Sequence, residues 1–376
     1  MGAHHRVIVG LSGGVDSAVA ALLLLERGAE VQGLFMANWE EDDDGYCTAA
    51  RDFQDARGVA EVLGIPLHRV DFSREYRDRV FAHFIDEYAA GRTPNPDVAC
   101  NREIKFGLCL EHARRLGGER FATGHYARLR AGPGGVELHK GADPGRDQSY
   151  FLHGIERAAL AAIEFPVGEL PKDEVRERAR RAGLAVHDKP DSTGICFIGE
   201  RPFRQFLARY IADAPGPIET PAGERLGTHH GLAFYTLGQR GGLEVGGRAG
   251  HTGGAWYVAR KDPARNVLIV VQGHDHPLLL SRALRTGPVN WLSTERQEPF
   301  TAAVKVRYRQ EDQPARITPL AGGGVHVGFD HAQRAVAPGQ YAVLYDGSRC
   351  LGGGVIESTE PAADGKPAFP ATATSR

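Results

Sequence analysis

The run Val7-Ile8-Val9-Gly10-Leu11-Ser12-Gly13-Gly14-Val15-Asp16-Ser17 sets an apolar strand, a double-glycine turn and a hydroxyl-bearing helix start in direct succession. That order builds an anion cradle. Glycines let backbone N–H groups approach phosphate oxygens, Ser12 and Ser17 add hydroxyl donors, and the helix N-terminus adds partial positive charge. Asp16 is a candidate ligand for a magnesium ion bridging the phosphates, with capping of the same helix as its plain structural role. No GK[ST] follows the glycines and the three-glycine dinucleotide spacing is missing, so neither of those phosphate loops is present.

Thiols are the second source of chemistry. The five cysteines, Cys47, Cys100, Cys109, Cys196 and Cys350, form no CxxC pair, which argues against a zinc or iron–sulfur site, and a disulfide scaffold is not expected of a chain in a reducing compartment. A free thiol has a pKa of about 8.5, so a reactive one needs a positive or dipolar neighbourhood. Cys100 has candidates for this: a loop stiffened by Pro94 and Pro96 runs into a helix with Arg102 and Lys105 in its first turns. Cys196 sits in Asp191-Ser192-Thr193-Gly194-Ile195-Cys196-Phe197-Ile198-Gly199, where flanking glycines leave the thiol room to reach a partner. The bland alternative, a small buried hydrophobe, is the reading adopted for Cys47, Cys109 and Cys350.

The elements that would carry these residues follow from periodicity. Strands at Val7 to Leu11, Val31 to Met36 and Ile65 to Phe72 alternate with helices from Ser17 and around Phe53 to Leu63, a βαβαβ pattern that implies an α/β fold with a parallel sheet. Phe53, Ala56, Ala60 and Leu63 recur at helical spacing, as do Phe81, Phe84, Ile85 and Tyr88; both stripes are assigned to core. After about Pro215 the texture becomes Gly-rich with short strands, including a hairpin from Trp256 to Val271 that turns at Asp262 to Asn266. A further set of strands from Thr301 to Ile356, with turns at Ala321 to Gly324 and Asp346 to Ser348, suits a small barrel or sandwich. The run Glu40 to Asp44 reads as a solvated acidic loop, and the Pro/Ala/Thr tail after Glu360 as disordered.

A formal net charge of -2 at pH 7 exerts no global pull on a polyanion, so nucleic-acid binding would rest on local patches. The longest apolar run, Ala18 to Leu25, is far short of the ~20 residues that cross a bilayer. With no basic-then-apolar leader before it, a cytoplasmic protein without membrane contact is expected.

The glycine loop resembles the SGGxDS loop of the ATP pyrophosphatases. Taken with the two cysteine segments and with Gly33-Leu34-Phe35-Met36, Asn38-Trp39-Glu40-Glu41-Asp42, Ala122-Thr123-Gly124-His125-Tyr126, Asp147-Gln148-Ser149-Tyr150-Phe151-Leu152, Tyr235-Thr236-Leu237-Gly238-Gln239-Arg240, Val306-Arg307-Tyr308-Arg309, Pro338-Gly339-Gln340 and Leu351-Gly352-Gly353-Gly354, nearly the whole chain is similar to the bacterial tRNA-specific 2-thiouridylases. The resemblance implies a Rossmann-like ATP-pyrophosphatase catalytic domain over 1–216, a small β-rich domain over 217–280, a C-terminal β-barrel that contacts tRNA over 281–361, and a disordered tail over 362–376. It implies that Gly10, Leu11, Ser12, Gly13, Gly14, Val15, Asp16, Ser17, Met36 and Gly124 bind ATP, and that Asn95, Pro96 and Asp97 surround the target base. His125, Asp147, Gln148, Ser149, Arg307, Tyr308 and Gln340 are implied to contact tRNA.

On the same resemblance Cys196 carries a persulfide, loaded by a sulfur-carrier protein or a cysteine desulfurase. Cys100 then either releases sulfide from that persulfide or resolves it as a Cys100–Cys196 disulfide, and Asp97 is the general acid/base at the wobble uridine of the anticodon loop. A monomer is expected. The residues themselves leave alternatives open: Met36 as core, Asp97 as an Asx turn, His125 as a satisfied core histidine, and Arg307 with Tyr308 as a cross-strand surface pair. Two other activities also fit, an adenylating ligase acting on a small molecule and a non-catalytic, nucleotide-switched RNA-binding protein.

Overall fold

The computed structural model describes residues 5–39, 49–191, 203–245 and 254–362. Cys47, Cys196, the Glu40 to Asp44 run and the tail from residue 363 lie outside the described residues.

Strands β1 (Arg6–Gly10), β2 (Glu30–Ala37), β3 (Leu67–Asp71), β4 (Arg120–Ala122) and β7 (Ile163–Glu164) form a parallel sheet in the order β3-β2-β1-β4-β7. β1 is central, and Val7, Ile8 and Val9 are wholly buried, as expected of a parallel strand covered on both faces. Ile8 faces one apolar layer with Leu34 and Phe121, while Val7 and Val9 face the other with Phe35 and Ala122. Helices α1 (Val15–Glu26) and α2 (Ala49–Leu63) cover the second face, where Ala56 and Ala60 of the expected stripe are buried. Phe81, Phe84 and Tyr88 fill the first. Both stripes are core.

The chain reverses across the sheet at β1, with β2 on one side and β4 on the other, so the crevice at their carboxyl ends is the place where an open α/β sheet receives a ligand. Gly10, Met36 and the residues after Ala122 all stand at that edge.

The second half is β-structure. A four-stranded sheet, in the order β10-β11-β8-β9, joins β8 (Gly216–Glu219), β9 (Arg225–His229) and the expected hairpin, β10 (Trp256–Asp262) with β11 (Val267–Gln272). Six longer strands follow: β12 (Leu280–Thr286), β14 (Phe300–Lys305), β15 (Gln313–Pro319), β16 (Val325–Arg334), β17 (Tyr341–Asp346) and β18 (Arg349–Pro361), with the short β13 (Asn290–Trp291) pairing β18. Pairing of β12 with both β16 and β18 closes these six strands into a barrel. The hairpin β5 (Ala127–Gly132) and β6 (Gly135–Lys140) of the first half extends the barrel sheet through Arg349 and His139. Among the described residues no helix is long and apolar enough to cross a membrane.

Candidate active site

The anion loop is built as its sequence suggests. Gly13 takes a φ of +75°, and a Cβ there would come within 2.3 Å of the Asp52 carbonyl oxygen, so only glycine fits. Gly14 is the N-cap of α1 and no side chain caps that helix, which leaves its first amides directed at the crevice. The Ser17 hydroxyl donates to the Gly14 carbonyl at 3.0 Å and accepts from the Ser12 amide at 3.2 Å, so it braces the loop from inside. Ser12 is exposed and Ser17 buried, so of the two hydroxyls only Ser12 faces outward. Gly124 follows β4, and a Cβ on it would stand 2.5 Å from the Ser17 amide nitrogen. Its glycine is explained by close backbone approach to the start of α1.

Asp16 is held by two neighbours distant in sequence. Its carboxylate accepts from Lys172 Nζ at 2.7 and 2.9 Å, and from the Tyr126 hydroxyl at 2.7 Å. Oδ1 thus takes two donors and Oδ2 one, so the carboxylate is held in place by a buried ammonium ion. A magnesium ion bridging ATP phosphates needs one or two carboxylates, and Asp16 Oδ2, with one donor, would have a lone pair to offer it. A second lysine braces the loop from the other side: Lys189 donates to the Gly13 carbonyl at 3.0 Å and pairs with Asp52 at 2.7 Å and Asp55 at 2.5 Å. Sequence spacing had no means of finding Lys172, Lys189 or Tyr126, which lie 110 or more residues from the loop.

The helix of the thiol segment starts at Pro96, one turn earlier than Arg102 and Lys105 in its first turns would have it, so Cys100 stands one turn inside a helical segment that becomes π-helical over Cys100–Cys109. Asn95 is the N-cap, its side-chain oxygen accepting from the Asp97 amide at 3.2 Å and the Val98 amide at 3.4 Å. Cys100 is buried, and Arg102 turns outward to pair with Glu103 at 2.7 Å. Lys105 turns inward instead: its charge bears on Asp97, Cys109 and His125. Burial raises the Asp97 carboxyl above the usual carboxylate range, with Lys105 opposing. A group so poised can exchange a proton nearer neutrality than an exposed aspartate.

Cys109 joins the two halves of the site. Its Sγ lies 3.1 Å from Met36 Sδ at the end of β2, and it feels the charge of Cys100; burial, then Cys100, pushes its thiol well above the ordinary range. Met36 therefore packs against the thiol-bearing helix, half-buried at the sheet edge.

The residues expected to touch tRNA divide. Asp147 and Ser149 are buried: one Asp147 oxygen accepts from the Gly141 and Ser149 amides at 3.1 and 3.0 Å, and the Ser149 hydroxyl meets Tyr345 of the barrel at 3.1 Å. Gln148 accepts the Tyr126 amide at 2.9 Å. Asp147 and Ser149 hold a turn and dock the barrel from within, whereas Gln148 is half-buried, with its side-chain oxygen engaged by that amide. His125 bonds Thr123 at 2.8 Å between the rings of Phe106 and Phe165, and burial holds it well below its usual range, hence neutral. Gln340 donates to the Thr93 carbonyl at 2.8 Å and so clamps the loop that leads to Asn95. Arg307 and Tyr308 lie beyond the end of β14 and are not paired across strands; Arg307 is exposed as a residue, but its guanidinium donates to the Ala335 carbonyl at 2.5 Å and burial of that group lowers its pKa, while Tyr308 packs on Phe151 with ring centroids 4.4 Å apart.

Three family models match the chain in order: a tRNA methyl transferase HUP domain over residues 5–200, a tRNA methyl transferase PRC-barrel domain over 204–272 and an aminomethyltransferase β-barrel domain over 281–356. The tRNA-specific 2-thiouridylase MnmA of Paracidovorax citrulli is 57% identical over 367 residues, covering 95% of this chain and 97% of that one. Its counterpart in Ralstonia pickettii is 55% identical over 359 residues, covering 95% and 97%. The model descriptions speak of methyl and aminomethyl transfer while the relatives are named for thiolation. Similarity above half over the full length decides between them, and the chain belongs to the tRNA-specific 2-thiouridylase family.

Proposed function

We propose that this protein uses ATP to replace the C2 oxygen of the wobble uridine of tRNA with sulfur. The observation that carries the reading is the meeting of Met36 and Cys109, which brings the sheet edge with the anion loop against the helix that bears Asp97 and Cys100. Family membership supports the substrate.

In this reading the α1 amides, Ser12 and the Gly10 to Ser17 backbone hold the phosphates, and Met36 and Gly124 flank the adenine side. Asn95 and Pro96 shape the loop that receives the uridine, which must leave its stack to be reached. Its C2 oxygen attacks the α-phosphate, pyrophosphate leaves, and Asp97 manages the proton. Sulfur arrives as a persulfide on Cys196, loaded by a sulfur-carrier protein or a cysteine desulfurase. The terminal persulfide sulfur attacks C2 and AMP leaves; the Cys100 thiolate then attacks Cys196 Sγ, which breaks the S–S bond, frees the 2-thiouridine and leaves a Cys100–Cys196 disulfide for an external thiol to reduce. In the other order Cys100 attacks Cys196 Sγ first, and the hydrosulfide so released displaces AMP, with the same disulfide left behind. Arg307 is the cation for RNA phosphate. Where magnesium accompanies ATP, Asp16 would help to hold it, and the ion would offset charge on the phosphates. The working unit is a cytoplasmic monomer of three domains, 1–216, 217–280 and 281–361.

Pyrophosphate release separates this reading from its rivals. Release that depends on added tRNA is the expected result; release without tRNA favours a small-molecule ligase, and RNA binding with no AMP formed favours a nucleotide-switched binder.

A further inference from the structure

Lys172 is a lysine in an unusual place. It opens the helix Lys172–Arg181, is 6% exposed, and sits 156 residues from Asp16 in sequence. Its ammonium lies 2.7 and 2.9 Å from the two Asp16 oxygens and 2.7 Å from Asp191 Oδ1, and 5.7 Å from the centre of the Tyr126 ring. Asp191 is also paired with Arg146 at 2.5 Å and Arg176 at 3.4 Å. Burial works against the Asp191 charge, but the Lys172 hydrogen bond and charge, with Arg146, hold the carboxyl below its usual range. A buried ion network of this kind is weak evidence for stability, because two well-packed apolar residues would often do as well. Its attested use is to specify one arrangement.

The two carboxylates it joins belong to different parts of the site. Asp16 is in the first turn of α1, within the anion loop; Asp191 immediately precedes, in sequence, the 192–202 segment that contains Cys196. We propose that Lys172 is a positioning residue that locks Asp16 and Asp191 into one unit, so that the anion loop and the chain entering the Cys196 segment keep a fixed register. Its three N–H bonds are taken by these carboxylates, so it acts through them and does not itself touch the reacting atoms. The consequence is a coupling: loosening the clamp at Asp16 weakens nucleotide binding, whereas loosening it at Asp191 spares nucleotide binding and uncouples sulfur delivery from adenylation.

The second half of this rests on the thiolation reading; the first does not. Two quantities test it in the full-length protein: the dissociation constant for labelled ATP by equilibrium dialysis without tRNA, and 2-thiouridine formed per AMP formed with tRNA and a persulfide donor. Lys172→Met, which takes the cation from Asp16 and leaves Asp191 to Arg146 and Arg176, is expected to weaken ATP binding about tenfold or more with an unchanged circular-dichroism spectrum. Asp191→Asn, which leaves the Lys172–Asp16 pair in place, is expected to hold the ATP dissociation constant within about threefold while 2-thiouridine per AMP falls about fivefold or more. A purely structural role would lower the melting temperature and leave that ratio unmoved. A folded Lys172→Met protein with wild-type ATP affinity overturns the proposal, as does Asp191→Asn with an unchanged ratio; if Lys172→Met does not fold, Asp191→Asn decides. Wild-type protein that forms AMP but no 2-thiouridine would count against the thiolation reading instead, with the ATP arm still judging the Asp16 clamp.

Discussion

The Gln340 side-chain amide, on the C-terminal barrel, donates to the Thr93 carbonyl at 2.8 Å, and the Thr93 amide donates in turn to the Pro338 carbonyl at 3.0 Å. The barrel thereby holds the loop that ends in the Asn95 cap and the Pro96 helix start. Lys261 of the central sheet adds a third hold: buried, with its pKa lowered to about 7, it donates to the Gly91 carbonyl at 2.9 Å.

Gln340→Ala should therefore lower thiolation without touching nucleotide binding. One neutral hydrogen bond is worth about 1 kcal/mol, so kcat/KM for tRNA is expected to fall about fivefold. Kinetics over a tRNA concentration series, with ATP affinity measured beside it, checks this; an equal loss of ATP affinity would place the effect elsewhere.

Gly124→Ala should act on ATP. The added methyl would stand 2.5 Å from backbone atoms of Asp16 and Ser17, which cannot rotate aside. Displacing the α1 start should cost about 1–3 kcal/mol, which is roughly five- to 150-fold in ATP affinity. Equilibrium binding of ATP reads it directly, and wild-type affinity would mean that the loop tolerates the shift.

Asp97→Asn should separate stability from activity. A carboxyl whose folded pKa is raised contributes stability that is full below its unfolded value of about 4, and that contribution is lost as pH rises through the folded value. The asparagine variant lacks this loss, so its melting temperature should match wild type near pH 4 and exceed it at pH 7. Thiolation should be abolished and, in the wild type, should rise with pH through the raised pKa if Asp97 acts as base. Thermal melts and rates over pH 4–8 check both; a variant less stable at pH 7 would contradict the assigned burial cost.

The thiols should behave unequally. Cys100→Ser is expected to abolish thiolation while ATP binding stays intact, and Cys196→Ser to fail with a persulfide donor. Cys109, whose buried thiol is protonated at neutral pH, should act by packing alone: Cys109→Ala, which removes the contact with Met36, should weaken ATP affinity while kcat stays within about twofold of wild type. Normal turnover by Cys100→Ser would reduce Cys100 to a core residue.

The sheet and its loop were legible because their signals are local. Val7 to Val9 read as a buried strand, Gly13 needs a positive φ, and turns at Asp262 to Asn266 and Asp346 to Ser348 punctuate the β half. Three features were not legible, for the same physical reason. Lys172 reaches Asp16, Gln340 reaches Thr93, and Ser149 reaches Tyr345 over separations of 156, 247 and 196 residues, and no spacing along the chain encodes such pairs. The start of the thiol helix was read one turn late because Asn95 and Pro96 look like loop residues, although they are the cap and first position of that helix.

Nucleoside mass spectrometry of tRNA incubated with the protein, ATP and sulfide tests the central claim most directly. The expected result is 2-thiouridine at the wobble position, formed with one AMP per sulfur and lost when ATP is omitted. Unmodified tRNA, or 2-thiouridine that forms equally well without ATP, would contradict it.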